Sequence, residues 1–311
     1  MDKNDISKEL DQIITEKENP KTRGLDKLQV REILKIINDE DKKIAYQVEK
    51  ELENIAAAAK IIIESIKRGG KWIYIGAGTS GRLGVIDVAE LLPTYDVGSE
   101  TAEAIIAGGP GAMFRPMEGA EDEEETAERE LKAKRIDSKD AIIGISASGR
   151  TPYVISALKY AKRIGAKTIA ITSNKKSPIT KIADIVIAPD TGPEVITGST
   201  RMKAATAQKM ILTMLSTTVM IKLGRVKGNL MISLEPVSKK LVERAKRIII
   251  REASTTYEEA TKILEEADGN VTVAIVIAKT GLPKKKAEEL LRATNYIPTE
   301  AIKLAEEIKK E

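Results

Sequence analysis

The sequence predicts an α/β chain: a doubly wound, parallel five-stranded sheet, with N-terminal helices before it and a small all-helical domain after it. Three observations predict this. Five short apolar runs, Trp72–Ile75, Ala104–Ala107, Ala141–Ile145, Thr168–Ile171 and Asp184–Ala188, each end in turn-forming residues. Helical patterns separate most of them, which is the alternation of a parallel sheet. Beyond Gly228 the pattern is helical to the end.

Taken in order, residues 1–30 are polar and read as an arm. From Val30 to Lys67 the apolar spacing is helical, through Ile33, Ile36, Ile37, Ile44, Val48, Leu52, Ile55, Ile62 and Ile66. Asp39-Glu40-Asp41 reads as a break between two helices that caps the second. The strand runs follow. Thr200 to about Leu223 is a long helix whose Met210, Met214 and neighbouring apolar residues read as core. Four short helices, Tyr257–Ala267, Val271–Ala278, Lys284–Arg292 and Pro298–Lys309, are split by Asp268-Gly269-Asn270, Gly281-Leu282-Pro283 and Asn295-Tyr296-Ile297. The expected division is residues 1–231, helices plus a ligand-binding sheet domain, and residues 232–311, a helical domain.

Composition narrows the chemistry. The 311 residues contain no cysteine and no histidine. Disulfides, thiolate catalysis and Ser-His-Asp schemes are excluded, so acid–base work falls to Glu, Asp, Lys, Tyr or Arg. The net charge of +4, from 51 basic and 47 acidic residues, shows no basic face of the kind nucleic acid requires. Residues 1–20 have no apolar signal core, and no apolar run is long enough for a membrane. A cytoplasmic protein with no nucleic-acid or membrane partner is expected.

Gly76-Ala77-Gly78-Thr79-Ser80-Gly81 meets the G-x-G-x-x-G template after a strand. A dinucleotide site also wants an acid at the tip of the second strand, and Ala107-Gly108-Gly109 supplies none. Thr79 and Ser80 instead offer hydroxyls that suit a phosphate monoester at a helix N-terminus. A second loop, Ser146-Ala147-Ser148-Gly149-Arg150-Thr151-Pro152, repeats that chemistry with Ser146, Ser148, Arg150 and Thr151 as candidate ligands. Pro152 fits a first helical turn. Each loop alone reads equally as a helix cap; two at one sheet edge favour a phosphate.

These loops, spaced as strand ends of one sheet, resemble the sugar isomerase domain. The fuller set is similar to the N-acetylmuramic acid 6-phosphate etherase family: Tyr74 to Gly84, Ile106-Ala107-Gly108-Gly109, Glu118-Gly119-Ala120-Glu121-Asp122, Ser146 to Val154 and Thr197 to Ala204. Ile36 to Asp41, Gly228-Asn229-Leu230-Met231 and Asp268 to Val271 join it. The resemblance implies a homodimer, a small-molecule sugar phosphate as substrate, water as co-substrate, lactate as a product, and neither cofactor nor metal. It implies Glu90 as the catalytic acid and Glu121 as the second essential glutamate. Leu91-Leu92 departs from the family's small residue and proline, and Met231 to Glu235 departs from a segment that usually carries Asp.

The residues make their own case for Glu90. It sits among Val85, Ile86, Val88, Ala89, Leu91 and Leu92, where a charge is either on a polar stripe with Asp87 or placed for work. Glu121 lies in a run of acids that also reads as a helix first turn complementing the macrodipole. Glu118 is the rival base, one helical turn away. The implied elimination needs one glutamate ionised and one protonated. Two other functions fit the same loops: a non-catalytic sugar-phosphate sensor and an aldose–ketose isomerase.

Overall fold

The computed structural model describes residues 14–233, 239–294 and 296–309. The start of the expected arm, Leu234 and Glu235 of the divergent segment, and Asn295 lie outside them. The chain divides into two compact units: Met1–Val88 with Thr101–Ser216, and Ala89–Glu100 with Thr217–Glu311.

The first unit opens with three short 3-10 turns between Ile14 and Lys27, then helices α1 (Val30–Glu49) and α2 (Leu52–Lys67). Contrary to the sequence reading, α1 runs straight through Asp39-Glu40-Asp41, and the break falls at Lys50-Glu51. The acids do not end the helix because they have partners on it. Asp39 pairs with Lys42 and Glu40 with Lys43 at i,i+3 spacing, which supports a helix. Glu51 is pulled inward instead: its Oε2 accepts from the Ala188 amide at 3.2 Å and from Asn54 at 2.8 Å.

Strands β1 (Trp72–Gly76), β2 (Ala102–Ile106), β3 (Ala141–Ile145), β4 (Lys167–Ile171) and β5 (Ile185–Ile187) form one parallel sheet in the order β2-β1-β3-β4-β5. All five expected strands are present, within two residues of their expected limits. α3 (Gly78–Ala89) follows β1; α5 (Glu124–Ala133) follows β2; α6 (Pro152–Arg163) follows β3. Between α3 and α5 comes the short α4 (Leu91–Tyr95), which belongs to the second unit. One face of the sheet buries Ile73, Ile75, Ile105, Ile142 and Ala170 against Ala127 and Leu131 of α5 and Val154, Ala157, Leu158 and Ala161 of α6. α2 packs against β1, β3 and β5. α3 lies over Tyr74: a Cβ on Gly84 would stand 2.9 Å from the Tyr74 Cβ, so only glycine permits the approach.

α7 (Lys203–Lys222) is the expected long helix, begun three residues late. Glu194, fully buried, holds its start: Oε2 accepts from the Lys203 amide and Oε1 from the Ala204 amide, both at 2.9 Å. That satisfies two helix-end donors and sets a carboxylate against the positive end of the dipole.

In the second unit, a hairpin the sequence reading missed joins β6 (Val226–Lys227) and β7 (Leu230–Met231) across Gly228-Asn229. Helices α8 (Lys239–Ala253), α9 (Tyr257–Glu266), α10 (Val271–Thr280), α11 (Lys284–Ala293) and α12 (Pro298–Ile308) follow. α10 is the axis of this unit, with eight of its residues buried. Asn270 caps it through the Val273 amide at 3.0 Å, and Gly281 ends it in the left-handed region that favours glycine. A capping box of Thr256 and Glu259 starts α9. Ile248, Ile249, Leu264, Leu290, Leu291 and Ala301 close the core around α10.

Candidate active site

The two glycine- and hydroxyl-rich loops leave adjacent strands. β1 and β3 are neighbours, with Gly76 in register with Ile145, so both loops start at one level of the sheet edge. The chain winds from β1 outward to β2 on one side and to β3, β4 and β5 on the other. Ligands of such sheets bind at this reversal, beyond the strand carboxyl ends.

At the first loop, Gly81 is pressed onto the strand end; a Cβ there would meet the Gly76 carbonyl oxygen at 2.6 Å and Ile106 Cγ1 at 2.7 Å. This brings the start of α3 close to β1 and sets Thr79, half-buried, and Ser80, buried, in its first turn. The Arg82 guanidinium donates to the Met113 and Arg115 carbonyls at 3.2 and 3.3 Å, tying the loop after β2 to α3.

The second loop is braced from within. Ser146 Oγ and Thr151 Oγ1 lie 2.8 Å apart, and the Gly149 amide donates to Ser146 Oγ at 3.0 Å. Ser148 Oγ accepts from the Arg150 amide at 3.2 Å. Thr151 is the N-cap residue of α6, yet its side chain makes no cap hydrogen bond. The hydroxyls therefore shape the loop and do not cap the helix; Pro152 brings no N–H and the Val154 amide donates to the Thr151 carbonyl at 3.1 Å, which leaves the Tyr153 amide as the helix-end donor for an anion. The turn after β4 supports the loop from outside: Thr172 Oγ1 donates to the Ala147 carbonyl at 3.1 Å and Asn174 Nδ2 to the Ser148 carbonyl at 3.4 Å. In the sequence Thr172 and Asn174 carry only a turn signal.

Glu121 lies in a 3-10 turn, Ala120–Asp122, before α5, and not in the helix first turn expected. That turn packs on α6, the helix the second loop opens. Ala120 is buried in the same core as Tyr153, and Ser156 Oγ donates to the Glu124 carbonyl at 2.8 Å. Glu121 and Glu118 are both exposed. In the second unit, Glu90 is exposed at the junction of α3 and α4. Leu91, at the departure from the family pattern, is 2 % exposed, so the residue after Glu90 is an apolar anchor.

The motif Thr197 to Ala204 leads to a buried charge cluster. Lys203, 2 % exposed, donates to Glu40 Oε2 at 2.8 Å, and Asn19 Nδ2 donates to the same oxygen at 3.1 Å. Burial alone would push the Glu40 carboxyl up; the hydrogen bonds from Lys203, Lys43 and Asn19 and the Lys203 charge outweigh it and bring its pKa to about 2. Among the described residues no helix is long and apolar enough to cross a membrane.

A curated N-acetylmuramic acid 6-phosphate etherase from Clostridium botulinum (strain Okra / Type B1) is 52% identical over 294 residues, covering 94% of this chain and 97% of its own. This chain belongs to the N-acetylmuramic acid 6-phosphate etherase family. Etherases from Clostridium beijerinckii and Clostridioides difficile are 54% and 48% identical, over 89% and 97% of this chain and 91% and 100% of theirs. The SIS domain model matches residues 121–242, and that of the glucokinase regulatory protein N-terminal SIS domain matches residues 54–162. A solved phosphoheptose isomerase from Neisseria gonorrhoeae has a TM-score of 0.49 at 17% identity, over 61% of this chain and 98% of that one. The SIS domain match agrees with the five-stranded parallel sheet flanked by helices.

Proposed function

We propose that the chain cleaves the D-lactyl ether of N-acetylmuramic acid 6-phosphate with water, giving N-acetylglucosamine 6-phosphate and D-lactate. One observation carries the reading: about half of the residues are identical to named etherases over nearly the whole chain. In this reading Thr79, Ser80, Ser146, Ser148, Arg150 and Thr151 hold the 6-phosphate, and the uncapped start of α6 supports that role. Glu121 removes the C2 proton, which the open-chain aldehyde acidifies. The electron pair forms the C2–C3 double bond as the C3–oxygen bond breaks. Glu90 protonates the departing ether oxygen, so lactate leaves as a neutral hydroxyl. Water then adds across the double bond, its oxygen to C3 and a proton to C2. Each proton transfer contributes roughly 100- to 10,000-fold.

The same proposal takes the enzyme as a cytoplasmic homodimer serving amino-sugar catabolism and peptidoglycan recycling. It takes residues 1–231 as the sugar-phosphate part and 232–311 as a helical part. D-lactate release from the phosphorylated sugar, measured with a coupled dehydrogenase, tests the activity; a purified chain that binds the sugar phosphate and releases no lactate sinks it. That outcome would favour the second reading, a sugar-phosphate-binding regulator, which the match to the glucokinase regulatory protein domain keeps open.

A further inference from the structure

Four residues in the first unit, Trp72, Tyr74 and Ser216 buried and Asp87 half-buried, form a polar chain that the proposed reaction does not use. Trp72 and Tyr74 share one face of β1, their rings edge to face at 6.3 Å and 72°. The Tyr74 hydroxyl is flanked by the Trp72 indole and the Asp87 carboxyl. Ser216 of α7 donates to Asp87 Oδ1 at 3.2 Å. Yet Trp72 Nε1, Tyr74 Oη and Asp87 Oδ2 are all enclosed without a partner at hydrogen-bond geometry. An apolar residue at position 87 would remove the cost of enclosing a carboxyl, so stability alone does not explain it. Position 87 is in the last turn of α3, and Glu90 is the residue that follows the end of that helix.

We propose that Asp87 is a positioning residue: the Trp72–Tyr74–Asp87–Ser216 chain locks the last turn of α3 and so fixes where Glu90 leaves it. This rests on the reading of Glu90 as the general acid. Two charged or titratable groups act on Asp87 from the packed elements, Tyr74 from β1 and Lys209 from α7. Burial pushes the Asp87 carboxyl up, against the Ser216 hydrogen bond, the neighbouring Tyr74 hydroxyl and the Lys209 charge. Asp87 Oδ1 accepts from Ser216, and the carboxyl lies beside the Tyr74 hydroxyl. Asparagine keeps an acceptor oxygen in the same shape without a charge.

The test compares wild type, Asp87→Asn, Asp87→Ala and Tyr74→Phe. Displacement of a catalytic group by about 1 Å costs on the order of 100-fold in rate. Asp87→Ala should lower kcat by about that factor with KM nearly constant, because binding at the phosphate loops is untouched. Asp87→Asn should keep kcat within about threefold, which a loss of ionic pairing would not allow. Trp72 is the only tryptophan, so its emission reports the chain directly. It should show a step above the ordinary Asp value in wild type and lose that step in Asp87→Asn. Should Asp87→Ala fail to fold, Tyr74→Phe takes its place, with a kcat loss and constant KM expected. Equal losses in Asp87→Asn and Asp87→Ala, or wild-type kcat in both Asp87→Ala and Tyr74→Phe, would overturn the proposal. A wild-type enzyme that releases no lactate would instead fail the etherase reading itself.

Discussion

Replacing Glu40 by glutamine tests the buried charge cluster behind the start of α7. In the folded chain Glu40 titrates at about 2 in place of 4.5, because Lys203, Lys43 and Asn19 all donate to it. At about 1.4 kcal/mol per unit, that shift corresponds to roughly 3 kcal/mol of stability at neutral pH. The sign follows from the direction of the shift. A carboxyl depressed on folding stabilises above its unfolded pKa, and the gain is lost as pH falls from about 4.5 through about 2. Glu40→Gln should therefore cost about 3 kcal/mol at pH 7 and less than about 0.5 kcal/mol at pH 2. It also strands the Lys203 ammonium, whose side chain is only 3% exposed, which argues for a cost no smaller than this. Urea unfolding followed by Trp72 emission reads the first unit, since Trp72 lies in β1. With a slope of roughly 1–3 kcal/mol per M, the midpoint should fall by about 1–3 M at pH 7. A loss of equal size at pH 2, or none at pH 7, would refute the reasoning. The double change Glu40→Leu with Lys203→Met should recover much of the loss, because it removes both charges together.

Ser148→Ala should raise KM for the phosphorylated sugar by about 10- to 100-fold, one charge-assisted hydrogen bond at about 1.5–3 kcal/mol, and steady-state kinetics would show it. Glu90→Gln should abolish lactate release while C2 hydrogen exchange in deuterated water persists; in Glu121→Gln both should vanish. Glu121→Gln near wild-type turnover, with Glu118→Gln inactive, would move the base by one turn. Gly149→Ala should cost at least about 2 kcal/mol in urea unfolding, since φ is +67° and the new Cβ would strike Ser177 Oγ. An unchanged midpoint would mean the loop rebuilds freely.

The sheet was legible because its signals are local. Each strand is a short apolar run ended by Gly, Ser, Thr or Pro, and the helices between carry their own period. The misplaced helix break shows the opposite case. The run of three acids reads as a cap, yet Lys42 and Lys43 pair with it at i,i+3 spacing, and the buried partner of Glu40, Lys203, is 163 residues away in sequence. Glu194 was passed over for a related reason, since nothing near it marks it as the cap of a helix nine residues on. The hairpin at Gly228-Asn229 carries a local sign, a two-residue Gly-Asn turn, but its first strand, Val226-Lys227, is half polar and too short to show a strand period. At the site, the loops were readable from residue chemistry. Glu90 stood out in part as a charge inside an apolar run, whereas Glu121 was separated from its acidic neighbours only by the family motif. The 3-10 turn holding Glu121 depends on burial of Ala120 with α6 residues that come much later in the chain.

The division of the chain has a consequence for its birth on the ribosome. Residues Ala89–Glu100 cluster with a unit whose remainder begins only at Thr217. When that short stretch emerges, the strands β3, β4 and β5 and every helix it will join are still unmade. It must wait, tethered at both ends to a sheet that is assembling around β1 and β2, until translation has passed α7. For the same reason no single cut separates the units. A truncation at residue 216 would leave Glu90 on a segment deprived of its partners, so dissection of this protein calls for a circular permutation or a replaced 89–100 stretch.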